Sequence, residues 1–151
     1  MVVCTVVYVY ARLVLEAPPG AGKTLVGLET VRSRLADGAI GAAVVLGPNT
    51  AIQRQWLDQA SGAGLACGTD PELTAQLTVL TYQSLAVFDA DAEVDDDAEE
   101  HSLLARLHTN GQRMVQALRD AGPLLLVLDE CHHLLEVWGR LLGEVLDQLP
   151  D

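Results

Sequence analysis

Lysine is almost missing from this chain. Of nine basic residues in 151, a single one is lysine, Lys23. Aromatics are scarce at 4%, which argues against modules that stack bases on rows of aromatic side chains. Positive charge is outweighed: 9 bases face 21 acids, for a net charge of −12. A broad basic nucleic-acid surface is thereby excluded. The three cysteines, Cys4, Cys67 and Cys131, are odd in number and widely spaced. That is no disulfide framework, and no CxxC pair points to zinc. Cys131-His132-His133 is too short a run to surround an ion, because adjacent side chains diverge. A reduced, cytoplasmic setting fits this cysteine usage. The apolar run from Val2 to Val14 is too short to cross a membrane. It has no basic segment ahead of it, so it does not read as a secretory signal.

What is present reads as a globular α/β chain. Half of its residues are hydrophobic, and its length suits one domain. Eight of the acids lie between Asp89 and Glu100 with no base among them. Without them nine bases face thirteen acids. Most of the net charge is thus one local feature, expected to be a flexible acidic loop over 89–101. A partner site or a mimic of nucleic acid is the sharper alternative for that run.

Strand-like and helix-like segments alternate. The Val, Tyr and Thr of Val2 to Val14 favour one long or two short buried strands. Arg12 to Ala17 is a short apolar run. Lys23 to Ala36 has helical spacing, with Leu25, Leu28, Val31 and Leu35 on one face. Ala42 to Leu46 reads as a buried strand, and Asn49 or Thr50 can cap a following helix to about Gln59. Ser61 to Ala75 reads as loop, Leu77 to Thr81 as a strand, and a helical turn follows. Ser102 can cap a helix that Asn110-Gly111 interrupts before Met114, Val115 and Leu118 resume. Leu124 to Leu128 is the most strand-like run, and Leu134 to Leu149 is amphipathic. Apolar strands separated by helices imply a parallel sheet covered on both faces.

The decisive stretch is Ala17-Pro-Pro-Gly-Ala-Gly-Lys-Thr24, between a strand and a helix. That is the context of a phosphate loop. Gly20 and Gly22 let successive N–H groups turn inward as an anion nest. The helix beginning near Lys23 adds its positive end. Pro19, Gly20, Ala21, Gly22, Lys23, Thr24 and Leu25 are the expected ATP-binding residues. Lys23 supplies a compact charge for the β and γ phosphates, and the Thr24 hydroxyl can ligate Mg²⁺. The lysine-poor composition keeps its one lysine where a point charge is chemically wanted. Ala17 stands where the general pattern has Gly. A second motif follows the last strand, where Asp129-Glu130 places two carboxylates at a sheet's carboxyl edge. Asp129 is expected to hold Mg²⁺ through its water shell, and Glu130 to polarise the attacking water. Lys23 and Glu130 are the expected catalytic pair.

With these motifs the chain resembles the first RecA-like lobe of superfamily 2 helicases and translocases of the DExH kind. APPGAGKT resembles their motif I, VVLGPNTAIQRQW (Val44 to Trp56) motif Ia, LTVLTYQSL (Leu77 to Leu85) motif Ib, and LLLVLDECHH (Leu124 to His133) motif II. The likeness implies a three-layer P-loop NTPase fold. It implies an ATP-binding lobe whose Mg²⁺-dependent hydrolysis is coupled to movement along DNA or RNA. It implies backbone contacts to the strand from Thr50, Gln53, Arg54, Thr81, Tyr82 and Gln83, and a coupling role for His132. From the residues alone, Thr50 also reads as a helix cap and Arg54 as a solvated helix residue. Tyr82 and Trp56 also read as packing, and His133 as a packed neighbour. The resemblance further implies a second RecA-like lobe supplying the far wall of the cleft and an arginine finger. It places a strand after motif II between the phosphate-loop strand and the motif II strand. The chain therefore reads as truncated before motif III, with little activity alone, and Val2–Tyr10 is a candidate to fill the vacant lane. A nucleotide-binding remnant without turnover is the alternative reading.

Overall fold

In the computed structural model, which describes residues 2–8, 12–17, 22–85, 109–130 and 136–148, the chain opens with two strands. These are β1 (Val2–Tyr8) and β2 (Arg12–Ala17). Three residues separate them, far too few for a crossover, so the pair must be antiparallel. Their register runs from Val2 opposite Ala17 to Val7 opposite Arg12.

Among the described residues five helices and four more strands follow. They are α1 (Lys23–Ala36), β3 (Ala42–Gly47), α2 (Thr50–Gly62), β4 (Cys67–Gly68), β5 (Leu77–Thr81), α3 (Tyr82–Leu85), α4 (Thr109–Asp120), β6 (Leu124–Asp129) and α5 (Glu136–Gln148). The sheet has the order β2-β1-β6-β3-β5-β4. Its four-strand part, β6-β3-β5-β4, is parallel throughout. β1 runs antiparallel to both β2 and β6. The expected wholly parallel sheet is corrected at this one lane. Val2–Tyr8 lies between the phosphate-loop strand and the motif II strand, so Val14 and Val127 are not on adjacent strands.

Alternation on the strands builds two cores. Val44, Leu46, Leu124, Leu126 and Leu128 face Met114, Val115 and Leu118 of α4 and Leu141, Leu142 and Val145 of α5. Ala43, Val45, Leu125 and Val127 face Leu28 and Val31 of α1 and Trp56 and Ala60 of α2. The period of two along each strand explains the split. Chain direction explains which helix goes where. From β2 to β3 to β5 the chain moves one way across the sheet, and from β5 to β6 it comes back. Right-handed connections then put α1 and α2 on one face and α4 on the other.

Three local readings change. Leu25 does not join the buried stripe of α1: it is 59% exposed. Asn110 and Gly111 are helical, at the start of α4 as described from Thr109 onward, and Gly111 is buried. The stretch read as loop from Ser61 to Ala75 contains β4, a two-residue edge strand paired with β5. Helix α2 is capped by Asn49, whose Oδ1 accepts the Ile52 N–H at 2.9 Å. Thr50 is the first residue of the helix instead of its cap. Among the described residues no helix is long and apolar enough to cross a membrane. The acidic run at 89–101 and the Ser102 helix start lie outside the described residues.

Candidate nucleotide site

The register brings the motifs to one edge. β2 and β6 both oppose β1, so they point the same way. Ala17 ends β2 beside Val2, and Asp129 ends β6 beside Cys4. Two lanes of about 4.8 Å and an offset of two residues along β1 set these ends roughly 12 Å apart. On the next lanes Leu46 pairs with Leu128 and Gly47 with Thr81. The phosphate-loop strand, the Asp129-Glu130 pair and the starts of α2 and α3 thus share the carboxyl edge of the sheet. This is where open α/β sheets bind ligands.

Gly22 is the N-cap of α1, at φ 79°, a left-handed conformation that suits glycine. Its carbonyl accepts the Val26 N–H at 3.1 Å. It has no side chain to cap the first turn, and that turn carries no acid. The amino end of α2, by contrast, is already capped by Asn49. A helix start whose N-cap is glycine, with a macrodipole of positive sign and no acid in its first turn, favours an anion at α1. Lys23 and Thr24 are half-buried there, and Leu25 is exposed beside them. Pro19, Gly20 and Ala21 lie outside the described residues.

Asp129 is only 6% exposed. Its Oδ2 accepts a hydrogen bond from Trp56 Nε1 at 2.7 Å, and its backbone carbonyl accepts one from the Tyr82 hydroxyl at 2.8 Å. Among the described residues no donor reaches its second oxygen, Oδ1. A buried carboxylate oxygen left this way suits a cation or the water shell of one. The residues present therefore fit Mg²⁺. Among the described residues no cluster of three or more His, Cys, Asp or Glu side chains gathers to hold a metal by itself. His132, with Cys131 and His133, lies outside the described residues.

Glu130 has φ 57°. A non-glycine residue there carries strain of about 1–2 kcal/mol. Strain of this kind is kept where a side chain must be aimed. Glu130→Gly is accordingly expected to leave stability unchanged or to raise it by up to about 1 kcal/mol, since relief of strain is partly offset by glycine's greater chain entropy. A denaturant midpoint measures this. A loss of more than about 1 kcal/mol would contradict the strain.

The structure divides the six expected strand-contact residues. Thr50, Arg54 and Gln83 are exposed. A shallow groove on the outer side of α2 is lined by Thr50, Ala51, Arg54, Gln55, Asp58 and Gln59. The other three have internal partners. Gln53 Nε2 donates to the Val79 carbonyl at 2.8 Å, tying α2 to β5. The hydroxyls of Thr81 and Ser84 share a hydrogen bond of 2.9 Å. Tyr82 is 3% exposed and bound to the end of β6. The Tyr82 ring and hydroxyl are thus taken up inside the protein, so any contact of this residue with a strand falls to its backbone. Asn49 also takes one of the N–H groups at the start of α2, which leaves fewer for phosphates.

The sequence marks Trp56 as packing and gives no sign of its bond to Asp129. A buried indole N–H needs some acceptor, and that is the one signal available; nothing local points to a partner 73 residues away.

The family model of the type III restriction enzyme res subunit matches residues 8–145. The chain belongs to that family. No curated protein and no solved structure matches it. The match spans the phosphate loop, the Asp129-Glu130 edge and every strand from β2 to β6. The res-subunit family is a helicase-like lineage of P-loop ATPases, which agrees with the α/β sheet and the layers described above.

Proposed function

We propose that this chain is the ATP-binding lobe of a DExH-type superfamily 2 translocase, acting in the cytoplasm on DNA or RNA. The observation that carries this reading is the shared edge. The strand that leads to the helix of Lys23 and the strand that ends in the buried carboxylate of Asp129 stand two lanes apart, and among the described residues only Trp56 donates to that carboxylate.

Each residue then has a task. The Gly20–Gly22 loop and the first turn of α1 bind the phosphates through N–H groups. The Lys23 ammonium balances their charge. The Thr24 hydroxyl and Asp129 Oδ1 hold Mg²⁺, directly or through water. Mg²⁺, when bound, neutralises charge on the phosphate oxygens. Glu130 orients a water and accepts its proton. Exposed Leu25 offers apolar surface beside the loop. Thr50, Arg54 and Gln83 meet the nucleic-acid backbone without reading sequence. Gln53, Thr81 and Tyr82 hold the helix starts that carry them. His132 links the two functions. Efficient turnover needs a cation delivered from a second RecA-like lobe.

The test is Mg·ATP titration and phosphate release with single-stranded DNA or RNA present. Glu130→Gln should bind Mg·ATP within a fewfold of wild type and lower the rate of phosphate release by about 10²-fold or more. Asp129→Asn should remove the Mg²⁺ dependence of binding. Phosphate release unchanged in Glu130→Gln, or Mg²⁺ dependence unchanged in Asp129→Asn, would overturn the reading.

A further inference from the structure

Trp56 joins three parts of the molecule. It stands on α2, where Thr50, Arg54 and Asp58 face solvent while Trp56 and Ala60 are buried against the sheet. Its Nε1 donates to Asp129 Oδ2 at 2.7 Å. Its ring lies over Gly27, where an added Cβ would come within 2.5 Å of Cη2. Gly27 is one helical turn beyond Lys23. The indole is therefore wedged between the phosphate-loop helix, the end of β6 and the helix whose outer side carries Thr50 and Arg54.

A carboxylate at a strand end can rotate about its last torsion. A charge-assisted hydrogen bond to one oxygen removes that freedom and fixes where the other oxygen points. The donor here is rigid, because the ring is 1% exposed and closely bounded by α1. Any shift of α2 relative to the sheet must also move the indole or break its bond to Asp129.

We propose that Trp56 is a positioning residue for the metal carboxylate: it presents Asp129 Oδ1 to Mg²⁺ and couples the position of α2 to that presentation. This rests on the reading of Lys23, Thr24 and Asp129 as a Mg·nucleotide site. It gives strand contact at Thr50 and Arg54 a physical route to the metal, through one helix and one hydrogen bond.

The experiment uses the whole chain. It holds two tryptophans, Trp56 and Trp138, so Trp138→Phe leaves a single indole N–H resonance to follow. That resonance should move when Asp129→Asn is added without ligand, and again when Mg·ADP is added to the Asp129 chain. ADP with a chelator should leave it nearly still. In Trp56→Phe, which keeps an apolar ring but has no donor, half-maximal stabilisation by ADP should require about tenfold more Mg²⁺ or beyond. Stabilisation by metal-free ADP should be unchanged. Equal loss with and without Mg²⁺ would reduce Trp56 to a packing residue and overturn the proposal. Should Trp56→Phe fail to fold, the resonance decides: no response to Asp129→Asn overturns it. Lys23→Ala, run alongside, separates the two claims. If it binds Mg·ADP as wild type does, the nucleotide site itself is refuted, whatever the indole shows.

Discussion

Val6→Pro should cost this protein about 3 kcal/mol or more and abolish its affinity for Mg·ATP. Val6 pairs with Leu13 of β2 on one side and with Val127 of β6 on the other. Proline removes an N–H from that ladder and its ring intrudes on the neighbouring strand, which is why it is confined to sheet edges. The loss is a large share of the roughly 5–15 kcal/mol that holds a typical domain together. Its effect is also directional. β2 has one lateral neighbour in the sheet, β1, and β2 is the strand that delivers the chain to the phosphate loop. Among the described residues the two cores are assembled on β3, β5 and β6 with α1, α2, α4 and α5. Helix content should therefore survive better than nucleotide binding. Circular dichroism with a denaturant titration gives the first quantity and Mg·ATP titration the second. A Val6→Pro chain that melts and binds as wild type does would show that β1 does not occupy the central lane.

The same lane shows where the sequence stops being readable. The β-branched run at Val2 to Tyr8 specifies a strand, and a three-residue connection specifies an antiparallel partner. Nothing in those residues says that the other edge of the strand will meet Val127. That pairing depends on which lane the rest of the sheet leaves open. Where local chemistry decides, reading succeeded. Gly-Lys-Thr starts α1, and the unbroken apolar runs at Ala42 and Leu124 became parallel neighbours. Asn110-Gly111 shows the reverse. The dipeptide has a turn signature, yet both residues are helical at the start of the described part of α4. A helix glycine costs only about 1 kcal/mol, and burial of Met114, Val115 and Leu118 outweighs that. The site was legible as motifs and incomplete as geometry. Asp129 and Glu130 are singled out by their place where an apolar strand ends. The hydrogen bonds from Trp56 and Tyr82 to Asp129 depend on side chains 73 and 47 residues away. The strain at Glu130 is a backbone state that its residue type does not advertise.

Lys23→Ala carries the other large effect. Lys23 is the one lysine of the chain, half-buried in the first turn of a helix whose start no side chain caps. Arginines are common here, but a flat guanidinium does not substitute for a compact ammonium among phosphate oxygens. Removal of this charge leaves the N–H groups of the loop and helix alone against the phosphates. Nucleotide affinity should fall by orders of magnitude while the fold stands, because the core of α1 is Gly27, Leu28 and Val31, further along the helix.

The measurement that tests the account most directly is a thermal melt of wild type and Lys23→Ala, each with and without Mg·ATP. A ligand at 100 times its Kd adds about 2.7 kcal/mol, which for a domain of this size is about 5–10 °C. The account predicts that rise in wild type and none in Lys23→Ala, from melting curves that coincide without ligand. An equal rise in both proteins, or none in a wild-type chain that melts cooperatively, would contradict it.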